Sequence, residues 1–552
     1  MALAGVTDRY SQEQINEFYR TGQWASERLW DFVLAGADKY GSRSFLTDDA
    51  ESLSFVGLRD GAMKFGAALR ALGVEPGDRV AVQLPNWVEF GVVVAALSRI
   101  GAILVPIMPI YRSDDVSYIL ENADVKLAIT CGRYRGHDHA GMFTALQDEV
   151  PSLEHVVVVR GGEAPRSPHS FEALIEQHRD VSEDDLGAGV GPDEPMLIIY
   201  SSGTTSRPKG CVHTFNTVSC GARLLGQSFD YGVQDVQFGP SPVTHMTGLV
   251  TSFLLPLVHG GQSHIQGQWD PAEGAVQIGE HGCTVAVTAT TFLQTLLDAY
   301  DPSAHDLSTL RLWICAGSPI PPAIIERAES TLPGVKVLSL YGRSENVTTT
   351  TCTTQTPREK SLTSDGCALP QQEVRIIDWE GREVPRGQEG DIAYRGAMHM
   401  LEYLKNPTET EALFTDDGFS RSGDLGVMDE DGFVRVTGRT KDIVIRGGMN
   451  ISVRQIEDLL SQWSRVRACA AVAMPDAKLG EKVCLYLVRS DPSDQMTLEH
   501  VKEHLLGQGL TIRKVPERLE VVEELPMTAT GKIQKHVLRA EIAEKLKAEQ
   551  GA

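Results

Sequence analysis

The sequence has no surplus of positive charge: 51 Lys and Arg stand against 74 Asp and Glu, a formal net charge of −23. A nucleic-acid partner, which needs a basic face, is therefore not expected, and an anionic membrane surface is disfavoured. The nine cysteines (131, 211, 220, 283, 315, 352, 367, 469 and 484) contain no CxxC pair and are odd in number. That argues against a disulfide scaffold and for buried thiols in a reduced, cytoplasmic protein. Low-complexity segments and fixed-period repeats are both missing. The N-terminus, MALAGVTDRYSQEQ, lacks an apolar signal core. Phe90 to Ile110 is strongly apolar, but Arg99, Gly101 and two prolines interrupt it, and a membrane span needs roughly 20 unbroken apolar residues. The expectation is a buried helix over about 87–99 and a buried strand over about 102–107, with no membrane span.

A chain of 552 residues exceeds a single domain. Its first half alternates helical and strand patterns. Leu58 to Leu72 has helical periodicity, Arg79 to Leu84 is a short apolar strand, Ser113 to Asn122 is helical with Ser113 as N-cap, and Lys126 to Thr130 is again a strand. Such alternation implies α/β layers with largely parallel sheets. From about 365 short strands dominate, with turns at Trp379-Glu380-Gly381, Asp417-Gly418 and Asp431-Gly432. After Gly438-Arg439 a compact α+β segment follows, ending in a charged helix over about 533–548. The expected division is a large domain over 1–438 and a small one over 439–552.

The densest chemical signal runs from Tyr200 to Gly210, YSSGTTSRPKG. An apolar strand (Met196 to Ile199) enters a loop holding Ser201, Ser202, Gly203, Thr204, Thr205 and Lys209. Backbone N–H groups and hydroxyls in such a loop can receive phosphate oxygens, although GxxxxGK[ST] is absent. Further candidates are Ala316-Gly317-Ser318-Pro319, Tyr341-Gly342-Arg343-Ser344-Glu345, Ser422-Gly423-Asp424, Gly438-Arg439-Thr440-Lys441-Asp442, Gly447-Gly448-Met449-Asn450-Ile451 and Pro526-Met527-Thr528-Ala529-Thr530-Gly531-Lys532. Taken singly, most read as polar turns, and Glu345 or Lys532 as solvated charges. His137-Asp138-His139 has the letters of a metal site but no further ligands, and reads as a loop.

In this order the motifs resemble those of the adenylate-forming (ANL) superfamily: acyl-CoA synthetases, adenylation domains of peptide synthetases, and luciferases. The resemblance covers about 30 to 540. It implies a large N-terminal domain of layered α/β subdomains plus a β-rich subdomain, and a small mobile α+β C-terminal domain. It also implies ATP, Mg²⁺ and coenzyme A. By that resemblance Ser201, Ser202, Gly203, Thr204, Thr205 and Lys209 hold the phosphates. Tyr341 stacks on adenine in the Gly342 and Ser344 motif, Gly317, Ser318 and Pro319 line the adenine and acyl pockets, and Glu345 binds Mg²⁺. Asp424 accepts from the ribose hydroxyls, and Arg439 reaches ribose or phosphate. Lys441 is the pivot of the small domain, Gly447 and Gly448 line the pantetheine tunnel, and Lys532 is the catalytic lysine. The pattern departs from the family at Ser206, Val453 and Gln455, where Gly, Pro and Glu are usual.

For the acid, His245 fits the gate beside the carboxylate, and Met246, Thr290, Phe292, Cys315 and Ala316 are wall candidates. Met246 replaces the Asp of amino-acid-activating relatives and the Asn of dihydroxybenzoate-activating ones; a thioether does neither job. HTFNT and RGGMNIS look most like cyclohexanecarboxylate- and medium-chain-type CoA ligases. The expected reaction is carboxylate plus ATP to acyl-adenylate and pyrophosphate, then transfer to CoA. The expected acid is small alicyclic, aromatic or medium-chain. Alternatives are loading of a carrier-protein phosphopantetheine thiol, a non-catalytic adenylate binder, and luciferase-type chemistry. The family also suggests a homodimer.

Overall fold

In a computed structural model, residues 3–161, 169–187, 189–201, 207–317, 320–332, 334–528 and 532–551 are described. The alternating pattern of the first half folds into two large, mostly parallel sheets. One has nine strands, including Ser44–Thr47, Val236–Gly239, Gln262–Ile265, Val285–Thr288, Leu312–Ala316 and Lys336–Tyr341 in parallel pairings. The other has eight; Arg79–Gln83, Ile103–Pro106, Val125–Cys131 and His155–Val159 run parallel, and Pro195–Tyr200 joins alongside Ile103–Pro106. Parallel strands buried on both faces need helices over them. The helix Val88–Ile100 supplies one such cover and is almost wholly buried. It leads into Ile103–Pro106 as the sequence implies. Among the described residues no helix is long and apolar enough to cross a membrane.

The helix expected over Leu58 to Leu72 occupies Phe55–Ala71, capped by the Ser54 hydroxyl. Ser113 is not a cap. It is the first helical residue, Arg112 holds the cap position without a side-chain bond, and Asp114 and Asp115 supply acid in the first turn. His137 and Asp138 form half of a two-residue hairpin with Arg133–Tyr134, and Asp138 caps the helix starting at His139. No cluster of three metal-ligating side chains occurs there or elsewhere among the described residues. All nine cysteines are free thiols.

From Glu373 the chain forms a four-stranded antiparallel sheet (Glu373–Ile377, Gly390–Arg395, Ser420–Met428, Val434–Arg439). A short 3₁₀ turn, Thr440–Asp442, leads into a five-stranded sheet whose core is the long hairpin Val466–Asp476/Gly480–Arg489. The last helix, Lys535–Gly551, packs on that hairpin through Leu538 and Ile542.

Candidate functional site

The site lies at the carboxyl ends of parallel strands, where open α/β sheets place their ligand crevices. Leu312–Ala316 delivers Gly317, Lys336–Tyr341 delivers Tyr341, and Val285–Thr288 leads to Thr290. The loop after Tyr200 does more than join a strand to a helix. It connects Pro195–Tyr200 to an antiparallel partner, Gly210–Thr214, before the helix Phe215–Ser228 begins. Ser201 is fixed by its N–H donating to the Lys209 carbonyl at 2.9 Å. Ser202, Gly203, Thr204 and Thr205, like Ser318 and Pro319, lie outside the described residues.

Glu345, 6% exposed, sits in a built ionic cradle. Tyr403 donates its hydroxyl to Oε1 at 2.6 Å, and Arg343 Nε lies 3.3 Å from Oε2. Burial alone would raise this carboxyl. Arg343 and the Tyr403 hydroxyl outweigh it and bring the group down to about 2, so it is ionised. The N–H of Met400 fixes the Glu345 carbonyl, and the buried His213 ring lies 2.7 Å from the carbonyl of Ser344.

Asp424, 5% exposed, is the second anion. Tyr341 donates to its Oδ2 at 2.6 Å, and Arg439, its cross-strand partner, reaches Oδ1 at 3.0 Å. Arg343 also stands 3.7 Å from Asp424. Thus one partly buried guanidinium faces both carboxylates, and both hold its charge well above the ordinary range for arginine against the pull of desolvation.

Lys532 arrives from the C-terminal part of the chain, beyond the five-stranded sheet. Its own backbone is tied to Thr528: the Lys532 N–H donates to Thr528 Oγ1 at 3.0 Å, and the Thr528 N–H to the Lys532 carbonyl at 2.7 Å. The side chain runs over Gly317, where an added Cβ would sit 2.8 Å from Lys532 Cε and 3.1 Å from Nζ. Gly317 has φ +75°, so a glycine is needed there twice over, for conformation and for clearance. Burial first, then the cations Arg439 and Arg343, bring the Lys532 ammonium down to about 8, against the pull of Asp424 and Glu345. His245 faces the same lysine. Burial, assisted by Lys532, brings the imidazole to about 3, so it is neutral, and Nδ1 accepts from the Thr247 N–H at 3.3 Å. A π-helical turn, Leu249–Leu254, follows, a form that recurs at functional sites. Met246, Thr290, Phe292, Cys315 and Ala316 are all buried in this region, and Thr290 bonds the Cys315 thiol.

Other expected residues lie at the edge of this cluster or away from it. Lys209 pairs with Glu409 on the surface helix Pro407–Glu411 and lies 5.0 Å over the Tyr403 ring. Lys441 is exposed in the 3₁₀ turn, close enough to Glu409 to help keep that carboxyl low. Gly447 and Gly448, with φ +56° and +84°, form the exposed tip of the hairpin Val444–Arg446/Met449–Ile451. Sequence reasoning missed Arg343 and Tyr403. Arg343 occupies the variable place of its motif, and Tyr403 is 58 residues from the carboxylate it holds, so neither carried a local signal.

The AMP-binding enzyme family matches residues 34–404, and the AMP-binding enzyme C-terminal domain matches residues 455–532. The chain is 30% identical over 542 residues to the medium-chain fatty-acid–CoA ligase of Escherichia coli (strain K12), covering 98% of this chain and 95% of that one. It is 31% identical over 514 residues to a (methyl-dioxo-octahydroindenyl)propanoyl:CoA ligase of Rhodococcus jostii (strain RHA1), covering 92% and 97%. The crystal structure of the anthranilate CoA ligase AuaEII with anthranoyl-AMP superposes with a TM-score of 0.87 at 25% identity, covering 95% of this chain and 98% of that one. The chain belongs to the AMP-binding enzymes, the ANL superfamily of acyl-CoA synthetases and AMP-dependent ligases.

Proposed function

We propose that this chain activates a carboxylic acid with ATP to an acyl-adenylate and pyrophosphate, then transfers the acyl group to CoA, releasing AMP. The observation that carries this reading is the half-buried Lys532, brought from the small domain against Gly317, between the Asp424–Arg439 pair and the neutral His245. A carboxylate is a poor acyl donor because oxide is a poor leaving group. Its oxygen attacks the α-phosphorus of ATP, and pyrophosphate leaves with the electron pair. The protein does little covalent work here, so placement and charge dominate.

Lys532, when protonated, aligns the substrate carboxylate with the α-phosphate and stabilises charge in the transition state. Neutral His245 borders the carboxylate without adding a competing cation. Asp424 supplies acceptor oxygens for the ribose, and Arg439, already on Asp424, extends toward ribose or phosphate. Tyr341 offers a flat face to adenine. The loop from Ser201 to Lys209 receives the phosphates. Glu345 fits a divalent cation: it is ionised, a hard oxygen donor, and fixed by Arg343 and Tyr403. Mg²⁺ held there beside the phosphates would neutralise the departing pyrophosphate.

For the second step, the division falls between residues 438 and 439, with the small domain turning at Lys441. Lys532 then withdraws, and the Gly447-Gly448 tip lines the path of the CoA thiol. The buried wall of Met246, Phe292, Ala316 and the Thr290–Cys315 pair has no charge for an α-ammonium, which favours a small alicyclic, aromatic or medium-chain acid. The test is CoA-dependent AMP formation with mass detection of thioesters. The acid panel comprises benzoate, hydroxybenzoates, cyclohexanecarboxylate, octanoate and amino acids. A thioester that vanishes in Lys532→Ala supports the reading. Pyrophosphate release without any CoA thioester moves the acceptor to a carrier-protein thiol.

A further inference from the structure

The docked position of Lys532 needs something to hold the small domain in place, and among the described residues specific polar contacts cross the boundary. The Ser452 hydroxyl donates to the Thr437 carbonyl at 2.7 Å. Two residues on, Arg454 opens the helix Val453–Ser461 and reaches back into the large domain. Its Nη1 donates to the Val436 carbonyl, and its Nη2 stands 3.9 Å from Asp365 Oδ2. Arg454 is 5% exposed and Asp365 4%. Arg454 also has Asp458 of its own helix at 3.5 Å, and Asp365 is the carboxylate that meets it from across the boundary.

The partner is firmly built. Asp365 accepts from the Ser339 hydroxyl at 3.1 Å and from the Val436 N–H at 2.9 Å, and Thr350 donates to its carbonyl. Ser339 lies on the strand that ends at Tyr341, and Val436 on the strand that ends at Arg439. The acceptor of the small domain's arginine is therefore rooted in the two strands that deliver the site. Arg435 of the large domain answers from the other side, 3.6 Å from Asp458 of the small domain. By contrast, Nε and Nη2 of Arg454 have no hydrogen-bond partner among the described residues; they hold Asp458 and Asp365 only at ion-pair range, 3.5 and 3.9 Å. The contact is buried and directional yet incompletely satisfied, which suits a bond that must form and break.

We infer that Arg454 is a positioning residue: its engagement of Asp365 and the Val436 carbonyl holds the small domain in the orientation that places Lys532 for adenylate formation. This rests on the two-step reading above. Breaking the contact slows the first half-reaction and leaves the second, which needs Lys532 withdrawn, intact.

The experiment separates the halves in Arg454→Leu and, on the other side of the boundary, Asp365→Asn, whose one amide oxygen can still accept from the Val436 N–H while its NH₂ donates to the Ser339 hydroxyl. Acid-dependent ATP–pyrophosphate exchange falls roughly tenfold or more, the scale of losing a buried ion pair's partner. Thioester formation from a synthetic acyl-adenylate plus CoA stays within about twofold, since that step does not use the contact. Equal loss in both halves, or loss in neither, overturns the inference. Trypsin cleavage after the exposed Lys441, followed in the ligand-free protein, reports docking without catalysis; it accelerates several-fold in both variants. If the unmutated protein shows neither half-reaction, the functional reading fails, and the cleavage rate alone decides: an unchanged rate in variants of unaltered Tm overturns the latch.

Discussion

Lys532 is the group whose chemistry the fold alters most usefully, and its titration can be read directly. An unperturbed lysine near 10.4 is about 0.4% neutral at pH 8. With the ammonium brought to about 8 by burial and by Arg439 and Arg343, roughly half of the Lys532 amines are neutral at that pH. The neutral amine is the nucleophile, so trace acetic anhydride at pH 8 should label Lys532 on the order of 100-fold faster than an ordinary lysine of equal access. The half-buried position lowers that ratio, so the pH midpoint is the better measurement. The assay is a short pulse across pH 6–11, with each lysine quantified by mass spectrometry. Arg439→Gln removes the leading cation and frees Asp424, so both changes raise the midpoint. ATP, by bringing phosphate charge, raises it too and suppresses labelling. The sign for docking follows. The folded value lies below the unfolded one, so the lysine's contribution to docking is complete above about 10.4 and is lost as pH falls through about 8. On the proposed reading catalysis has the opposite need, a protonated Lys532. A midpoint near 10 in the ligand-free protein, unmoved by Arg439→Gln, would refute the placement of this side chain.

Three substitutions probe its neighbours. Glu345→Gln removes the ionised carboxylate and should lower pyrophosphate exchange by about 100-fold or more, with a higher Mg²⁺ requirement and a lower Tm, because Arg343 loses one of its two carboxylates. Tyr403→Phe deletes the 2.6 Å bond to Glu345. A hydrogen bond to a charged group contributes about 1.5–3 kcal/mol, so the Mg²⁺ midpoint should rise by roughly tenfold to a hundredfold; an unchanged midpoint would show that Arg343 alone fixes the carboxylate. Gly317→Ala puts a Cβ 2.8 Å from Lys532 Cε at φ +75°. Exchange should fall while acyl transfer from a supplied adenylate survives, and equal loss of both would place the clash elsewhere.

What was legible in the sequence is what chemistry or periodicity fixes locally. The apolar helix at Val88–Ile100, the strand after it, and the turns at Gly381, Gly418 and Gly432 all follow from short-range patterns. The motifs at Gly317 and Tyr341 were legible as short local patterns, and the structure sets both at strand ends. The strand Gly210–Thr214 was not, because all five of its residues are buried and its mixed GCVHT sequence has no alternation. Arg343 was hidden because the same letter serves an exposed turn or a buried counter-ion. Tyr403, Asp365 and Arg454 were hidden because their meaning lies in partners far along the chain: Glu345, Ser339 and Val436.

The net charge of −23 sets a further condition on anionic substrates, and the cations meet it in two ways. Arg343 is fixed. It is held by two buried carboxylates, and exchanging either for a phosphate would strand a buried charge. Lys209 is exchangeable, because its partner Glu409 is exposed and a surface pair contributes little. On the proposed reading Lys532 is removable altogether, carried away when the small domain turns. On the proposed reading this graded hold matches the order of events. The fixed cation keeps Glu345 ionised and holds Asp424 in place before ATP arrives. The exchangeable one is given up to the phosphates on binding, and the removable one leaves once the adenylate has formed. A site whose cations were all as deeply paired as Arg343 could bind nothing anionic; one whose cations were all as loosely held as Lys209 could not keep its carboxylates in place.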